Sequence, residues 1–194
     1  MIRRTCVFAM VGLLLCICQS SFAHTVKYAF TLSGGAEVPV VATAGTGSGL
    51  VTFDLDLVTM RVQSQFSGLT GNTTASHIHC CDFQVNTNAG VATESPSFTG
   101  FPLGVKSGSM DHTFDMTLAS SYRAQFLTAN GGSVANALSA LLAGLDSGQA
   151  YLNIHTSSFG SGEIRGQAVF VPEPGTIVFA MLGAIAALAV RRRR

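Results

Sequence analysis

Residues 49–57 read GLVTFDLDL. In an extended chain Val51, Phe53, Leu55 and Leu57 share one face, while Thr52, Asp54 and Asp56 share the other. Successive side chains of a strand point to opposite faces, so this period of two predicts a half-buried strand. The same rhythm recurs on either side. In TVKYAFTLS (25–33) the apolar positions are Val26, Tyr28, Phe30 and Leu32, and Gly34-Gly35 closes the run. In MRVQSQFSGL (60–69) they are Met60, Val62 and Phe66. In SMDHTFDMTL (109–118) they are Met110, Phe114, Met116 and Leu118, opposite Asp111, Thr113 and Asp115. Short alternating runs separated by turn residues predict an all-β antiparallel sandwich or barrel.

One segment breaks the period. In GGSVANALSALLAGLDSG (131–148), Val134, Leu138, Leu141, Leu142 and Leu145 recur at helical spacing. Ser133 is an N-cap residue and Gly144 or Gly148 a stop, so a short helix near 134–145 is expected across an end of the sandwich. Residues 86–108, rich in Gly, Pro, Ser and Thr, read as a long surface loop.

The two ends carry addresses. Arg3 and Arg4, the apolar stretch from Val7 to Cys18, and the small residues Ser21 and Ala23 make residues 1–23 a signal peptide for the Sec translocon, cleaved after Ala23. At the other end an apolar run of roughly 15 residues, about 23 Å as a helix, follows Pro174 and closes on Arg191, Arg192, Arg193 and Arg194. Such a basic end stays cytoplasmic, and the helix is a membrane anchor before processing. Pro172-Glu173-Pro174, the short helix and the arginines resemble the PEP-CTERM sorting signal of exopolysaccharide-producing Gram-negative bacteria. The resemblance implies recognition by an exosortase and cleavage near the Pro-Glu-Pro. It also implies an inner-membrane-anchored precursor that ends in the outer envelope or outside the cell. The chain thus divides into residues 1–23, a domain over 24–170, and a sorting signal over 171–194.

Six of the eleven basic residues (Arg3, Arg4 and Arg191 to Arg194) belong to the addresses. Removing them, and Glu173 with the sorting signal, leaves five basic against nine acidic residues, a net charge of about −4 rather than +1. That balance excludes a nucleic-acid partner.

Three blocks carry a wider resemblance. SGGAEVPVVATAGTGSG (33–49), SHIH (76–79) and AYLNIHTSSFGSGEIRGQ (150–167) are similar to the CHRD domain, named from chordin and found also in bacterial proteins. That family has been likened to immunoglobulin-like barrels and, loosely, to copper-zinc superoxide dismutase. The resemblance therefore implies an antiparallel sandwich or barrel of that kind. The adjacent Cys80-Cys81 departs from the family's general pattern.

The chemistry-bearing residues cluster around that middle block. On a strand His77, His79 and Cys81 project to one face and Ile78 and Cys80 to the other. Ile78 marks the core side, so the histidines are expected outward or in a cleft. His155 likewise lies opposite Leu152 and Ile154. If the two strands are neighbours, three imidazoles converge, a donor set suited to copper or zinc. The alternative is that they hydrogen-bond to Asn153, Thr156, Glu163, Arg165 or a loop backbone. Cleavage after Ala23 makes His24 the new N-terminus, whose amine and imidazole form a copper brace if a second histidine approaches. Cys6, Cys16 and Cys18 leave with the signal peptide, so Cys80 and Cys81 remain in an oxidising compartment. They form a vicinal disulfide, stay free, bridge to another molecule, or lend Cys81 to a metal. Glu163 and Arg165 share a strand face and are expected to form a structural ion pair. His112 reads as an edge-of-core residue and Glu37 as a turn or strand-start residue.

No Ser-His-Asp order, phosphate loop or close carboxylate pair stands out, and five histidines fall short of a dismutase centre. Two functions follow. The first is a non-enzymatic exported module that binds or scaffolds extracellular polysaccharide or matrix proteins. The second is an extracytoplasmic copper or zinc binder using His77, His79 and His155.

Overall fold

The computed structural model describes residues 24–81 and 87–173. The expectations for residues 1–23, for Pro174 and for Arg191 to Arg194 lie outside the described residues. Among those described, no helix is long and apolar enough to cross a membrane.

The alternating runs form strands: β1 (Thr25–Ser33), β2 (Thr46–Asp54), β3 (Thr59–Ser67), β4 (Thr73–His79) and β5 (Gly108–Asp115). Two helices follow, α1 (Ala124–Ala129) and α2 (Val134–Asp146), then β6 (Tyr151–Thr156), β7 (Ile164–Gln167) and β8 (Val169–Phe170). All pairings are antiparallel, in the order β4-β6-β7-β1-β2-β3-β5, with β8 also on β1. This is one curled sheet, a half-barrel, so of the two expected architectures, sandwich or barrel, the chain takes the barrel-like one and not two stacked sheets. The reason lies in β1. It pairs with β2 along its whole length, while its other edge takes β8 at Tyr28 and Ala29 and β7 at Ser33, so the sheet never splits.

Curling brings the apolar faces of the two halves together. Tyr28, Phe30, Leu32, Val51, Phe53, Met60 and Val62 meet Ile78, Leu152, Ile154 and Ile164 in one core. The approach is closest at Gly49 of β2, where a Cβ would stand 2.6 Å from Leu152 Cδ2 of β6. Gly49→Ala is accordingly expected to cost about 1–3 kcal/mol through overpacking. Urea unfolding of the variant checks this, and unchanged stability would show that the two halves are not pressed together there.

The helix at 134 forms as its spacing predicts. Ser133 caps it by accepting from Asn136 N–H, and Ala137, Leu141 and Leu145 are buried against the sheet. Gly144 does not stop it. A Cβ there would meet the Cys80 and Cys81 sulfurs, at 2.2 and 2.6 Å, so this glycine seats the helix on the disulfide that joins them. The helix ends instead at Gly148, in the left-handed region at φ 69°.

Two apolar positions of the sequence reading fall outside the strands. Leu57 lies in the β2–β3 turn and is 71% exposed, and Leu118 follows β5 and is 51% exposed. The stretch 86–108 is no mere surface loop, since Phe98 and Phe101 enter the core. The chain leaves the domain along β1. Val171 N–H donates to Lys27 O, and the Glu173 carboxylate accepts from Thr25 Oγ1 at 2.6 Å and lies 3.5 Å from Lys27 Nζ.

Candidate metal centre

β4 and β6 are direct neighbours, and their register decides the site. His77 lies opposite Asn153, His79 opposite Tyr151 and Ala75 opposite His155. His77 and His79 are two residues apart on one face, and His155 reaches them diagonally from β6. The ring centroids are 4.6 Å apart for His77–His155, 4.8 Å for His77–His79 and 5.7 Å for His79–His155. One nitrogen from each residue lies within 4.8 Å of the others. A point within about 2.8 Å of all three therefore exists, against about 2.0–2.1 Å for a zinc–imidazole bond.

The histidines lie on the expected face, and of the two expected settings, outward or in a cleft, they take the covered one. Ile78 points into the core, whereas His77, His79 and His155 lie on the opposite side and are only 6%, 9% and 9% exposed. Loop backbone covers them. The segment beyond the described gap runs along β4, with Cys80 N–H donating to Gly90 O and Ala92 N–H to Ile78 O. Its Ala89 carbonyl accepts from His79 Nδ1 at 2.7 Å, and Gly160 O accepts from His155 Nδ1 at 3.0 Å. Those bonds put the proton on Nδ1 and leave Nε2 of each ring with a bare lone pair. His79 Nε2, His155 Nε2 and His77 Nδ1 are buried and have no hydrogen-bond partner.

The cluster is electrically neutral. Burial, then the positive forms of His79, His155 and Arg123, push His77 down to about 2. Burial pushes His79 down to about 4, against the Ala89 hydrogen bond and helped by His155, Arg165 and Arg123. Burial also lowers His155, opposed by its bond to Gly160. The rings thus stay unprotonated at neutral pH, as metal ligands must.

Beside the histidines is a layer of stacked and charged groups. Tyr151 lies parallel to His79, centroids 4.8 Å apart and planes at 6°. The Arg165 guanidinium stands 4.5 Å from the Tyr151 ring centroid. Arg165 does not pair with Glu163, which corrects the ion pair expected from sequence. It donates to Ala36 O at 2.5 Å and Asn88 Oδ1 at 3.0 Å, and its Nε lies 3.9 Å from Glu37. Glu37 is therefore a buried partner of Arg165 and not a turn residue alone. Its carboxyl is raised to about 7 by burial, against Arg165 and Asn153, which lower it.

Glu163 is fully occupied elsewhere. It accepts from Thr43 Oγ1 at 2.6 Å, Thr70 N–H at 2.6 Å, Gly71 N–H at 3.2 Å and Thr156 Oγ1 at 2.7 Å. Cys81 is no thiolate ligand here, because its sulfur is bonded to Cys80 and faces Ala140 O of α2. His24 stays apart from the cluster. It is exposed at the start of β1, and its backbone N–H donates to Asp56. His112 packs edge-on against Phe114, 4.7 Å between centroids, at the rim of the core. The parts that sequence reading missed are the two carbonyls that fix the imidazoles, which no side-chain pattern announces, and the Glu37–Arg165 pair.

Residues 170–194 match the PEP-CTERM protein-sorting motif, which implies an exported protein processed at the membrane. No curated protein and no solved structure matches the chain. The body of the fold, residues 28–168 and with them all three converging histidines, matches the CHRD domain, and the chain belongs to that family.

Proposed function

We propose that this exported domain is a non-catalytic metal-binding module of the bacterial cell envelope or extracellular matrix. It holds one copper or zinc ion through His77, His79 and His155. The observation that carries this reading is the set of three buried imidazole nitrogens without partners. A buried polar atom left unbonded costs about 1–3 kcal/mol, and each of the three rings that approach one another within 4.8 Å carries one, which suits a single bound cation. The donor chemistry fits as well. The two carbonyl-held imidazoles present the tautomer and orientation that an outer shell imposes on metal-bound histidines. The sorting motif adds the setting: an exosortase substrate in an exopolysaccharide-producing Gram-negative organism, released from its membrane anchor into a polysaccharide-rich layer.

Metal analysis of tag-free protein tests this. One equivalent of copper or zinc is expected, falling below about a tenth of an equivalent in both His77→Ala and His155→Ala. Far-ultraviolet circular dichroism should remain unchanged in both variants. Protein that takes up no metal on reconstitution, or variants that load as the parent does, would overturn the reading.

A further inference from the structure

We propose that the ion held by this cluster is copper in its monovalent state. The inference rests on the metal-binding reading above and deepens it.

Charge is the first ground. Among the described residues, the three histidines form the cluster with no cysteine, aspartate or glutamate in it. The ligand set is therefore neutral. Its outer shell is neutral too, because His79 and His155 donate to backbone carbonyls, where a carboxylate would strengthen their attraction for a dication. The charges close by are of the wrong sign for a divalent ion. The Arg165 guanidinium stands over Tyr151, which stacks on His79. Arg123 is tied to the segment that runs along β4, its backbone N–H donating to Ala92 O, whose own N–H donates to Ile78 O, and from there it acts on His77 and His79 with the same sign. Neither nearby buried carboxylate belongs to the cluster: Glu163 accepts from four donors, and Glu37 lies 3.9 Å from Arg165 with its other oxygen unbonded. Moving an ion into such a site costs desolvation that grows with the square of its charge, so a monovalent ion bears about a quarter of the cost of a divalent one. Repulsion from the two arginines is also halved.

Coordination number is the second ground. Zinc sites are four-coordinate, and one with three protein ligands draws in a water. These imidazoles lie at 6–9% exposure beneath loop backbone, where a fourth ligand has to be brought in at further cost. Three nitrogen donors already complete a trigonal copper(I) site.

Competitive titration distinguishes the two ions. Tag-free protein is titrated anaerobically with copper(I) against the chromophoric chelator bicinchoninate, then challenged with zinc(II). One equivalent of copper(I) should be captured and retained in about a hundredfold excess of zinc(II). Arg123→Ala should tighten zinc(II) about tenfold and copper(I) only about threefold, since the removed repulsion is twice as large for the dication. Displacement of copper by equimolar zinc would overturn the proposal while leaving the metal-binding reading intact. So would a stoichiometric copper(II) resonance signal that persists in ascorbate, or equal gains for both ions in Arg123→Ala. Failure to bind either ion would end both.

Discussion

Glu163→Ala is expected to destabilise the domain by about 3–5 kcal/mol, as removal of one partner from a buried charged network does. Glu163 is completely buried just before β7. Its two oxygens gather the Thr43 and Thr156 hydroxyls and the Thr70 and Gly71 amides, which tie two separate stretches of chain to the end of the β6–β7 hairpin and brace the hairpin across itself. Burial pushes its carboxyl up, but these donors outweigh burial and hold it below the ordinary glutamate value. Alanine would strand four donors at once, each without water to replace the lost acceptor. Glu163→Gln keeps one accepting oxygen and should lose about half as much. Equilibrium urea unfolding measures both variants, and a loss under about 1 kcal/mol for alanine would mean that the carboxylate is not the knot the geometry describes.

Acid should weaken the metal-free protein, and Glu37 should mask part of the effect. His77 and His79 titrate at about 2 and about 4 in the fold, against about 6.5 in the unfolded chain. Below 6.5 the unfolded chain binds the extra protons, so the stability these residues confer is intact above that pH and drains as pH falls. At pH 5 each costs about 2 kcal/mol. Glu37 runs the other way. Its folded value of about 7 lies above the unfolded 4.5, so its contribution is full below 4.5 and is lost as pH rises through 7. Between pH 7 and pH 5 it returns about 2 kcal/mol. The parent protein should thus lose at least about 2 kcal/mol over that interval, and Glu37→Gln, which lacks the offset, at least about 4 kcal/mol, since His155 is lowered too and acts in the same direction. Unfolding curves at the two pH values decide it, and a flat profile in Glu37→Gln would show that the imidazoles are not buried neutral.

The strands of the first half were legible because each is half-buried, and a half-buried strand writes its orientation into every second residue. The rhythm misled only where it outran the hydrogen bonding, as Leu57 and Leu118 continue the apolar period into turns. The curl of the sheet was not legible. It depends on β4 lying beside β6 and on Gly49 meeting Leu152, contacts between residues far apart in sequence. The same distance explains the site. Alternation placed His77, His79 and His155 on the correct face, but a period of two cannot tell solvent from a covering loop. The loop backbone at Ala89 and Gly160 makes that difference. Glu163 and Arg165 are two residues apart, and an extended reading puts them on one strand face and pairs them, although Glu163 lies just before β7. Each instead finds partners about 90 to 130 positions away, Glu163 at Thr70 and Gly71 and Arg165 at Ala36 and Glu37.

The bond between Thr25 and Glu173 has a bearing on how the molecule is held. The points where the polypeptide joins and quits the fold are fastened side by side, with no slack between β8 and the start of the sorting segment. A pull on the chain at Glu173 is therefore borne by the first strand of the body as well as by its last.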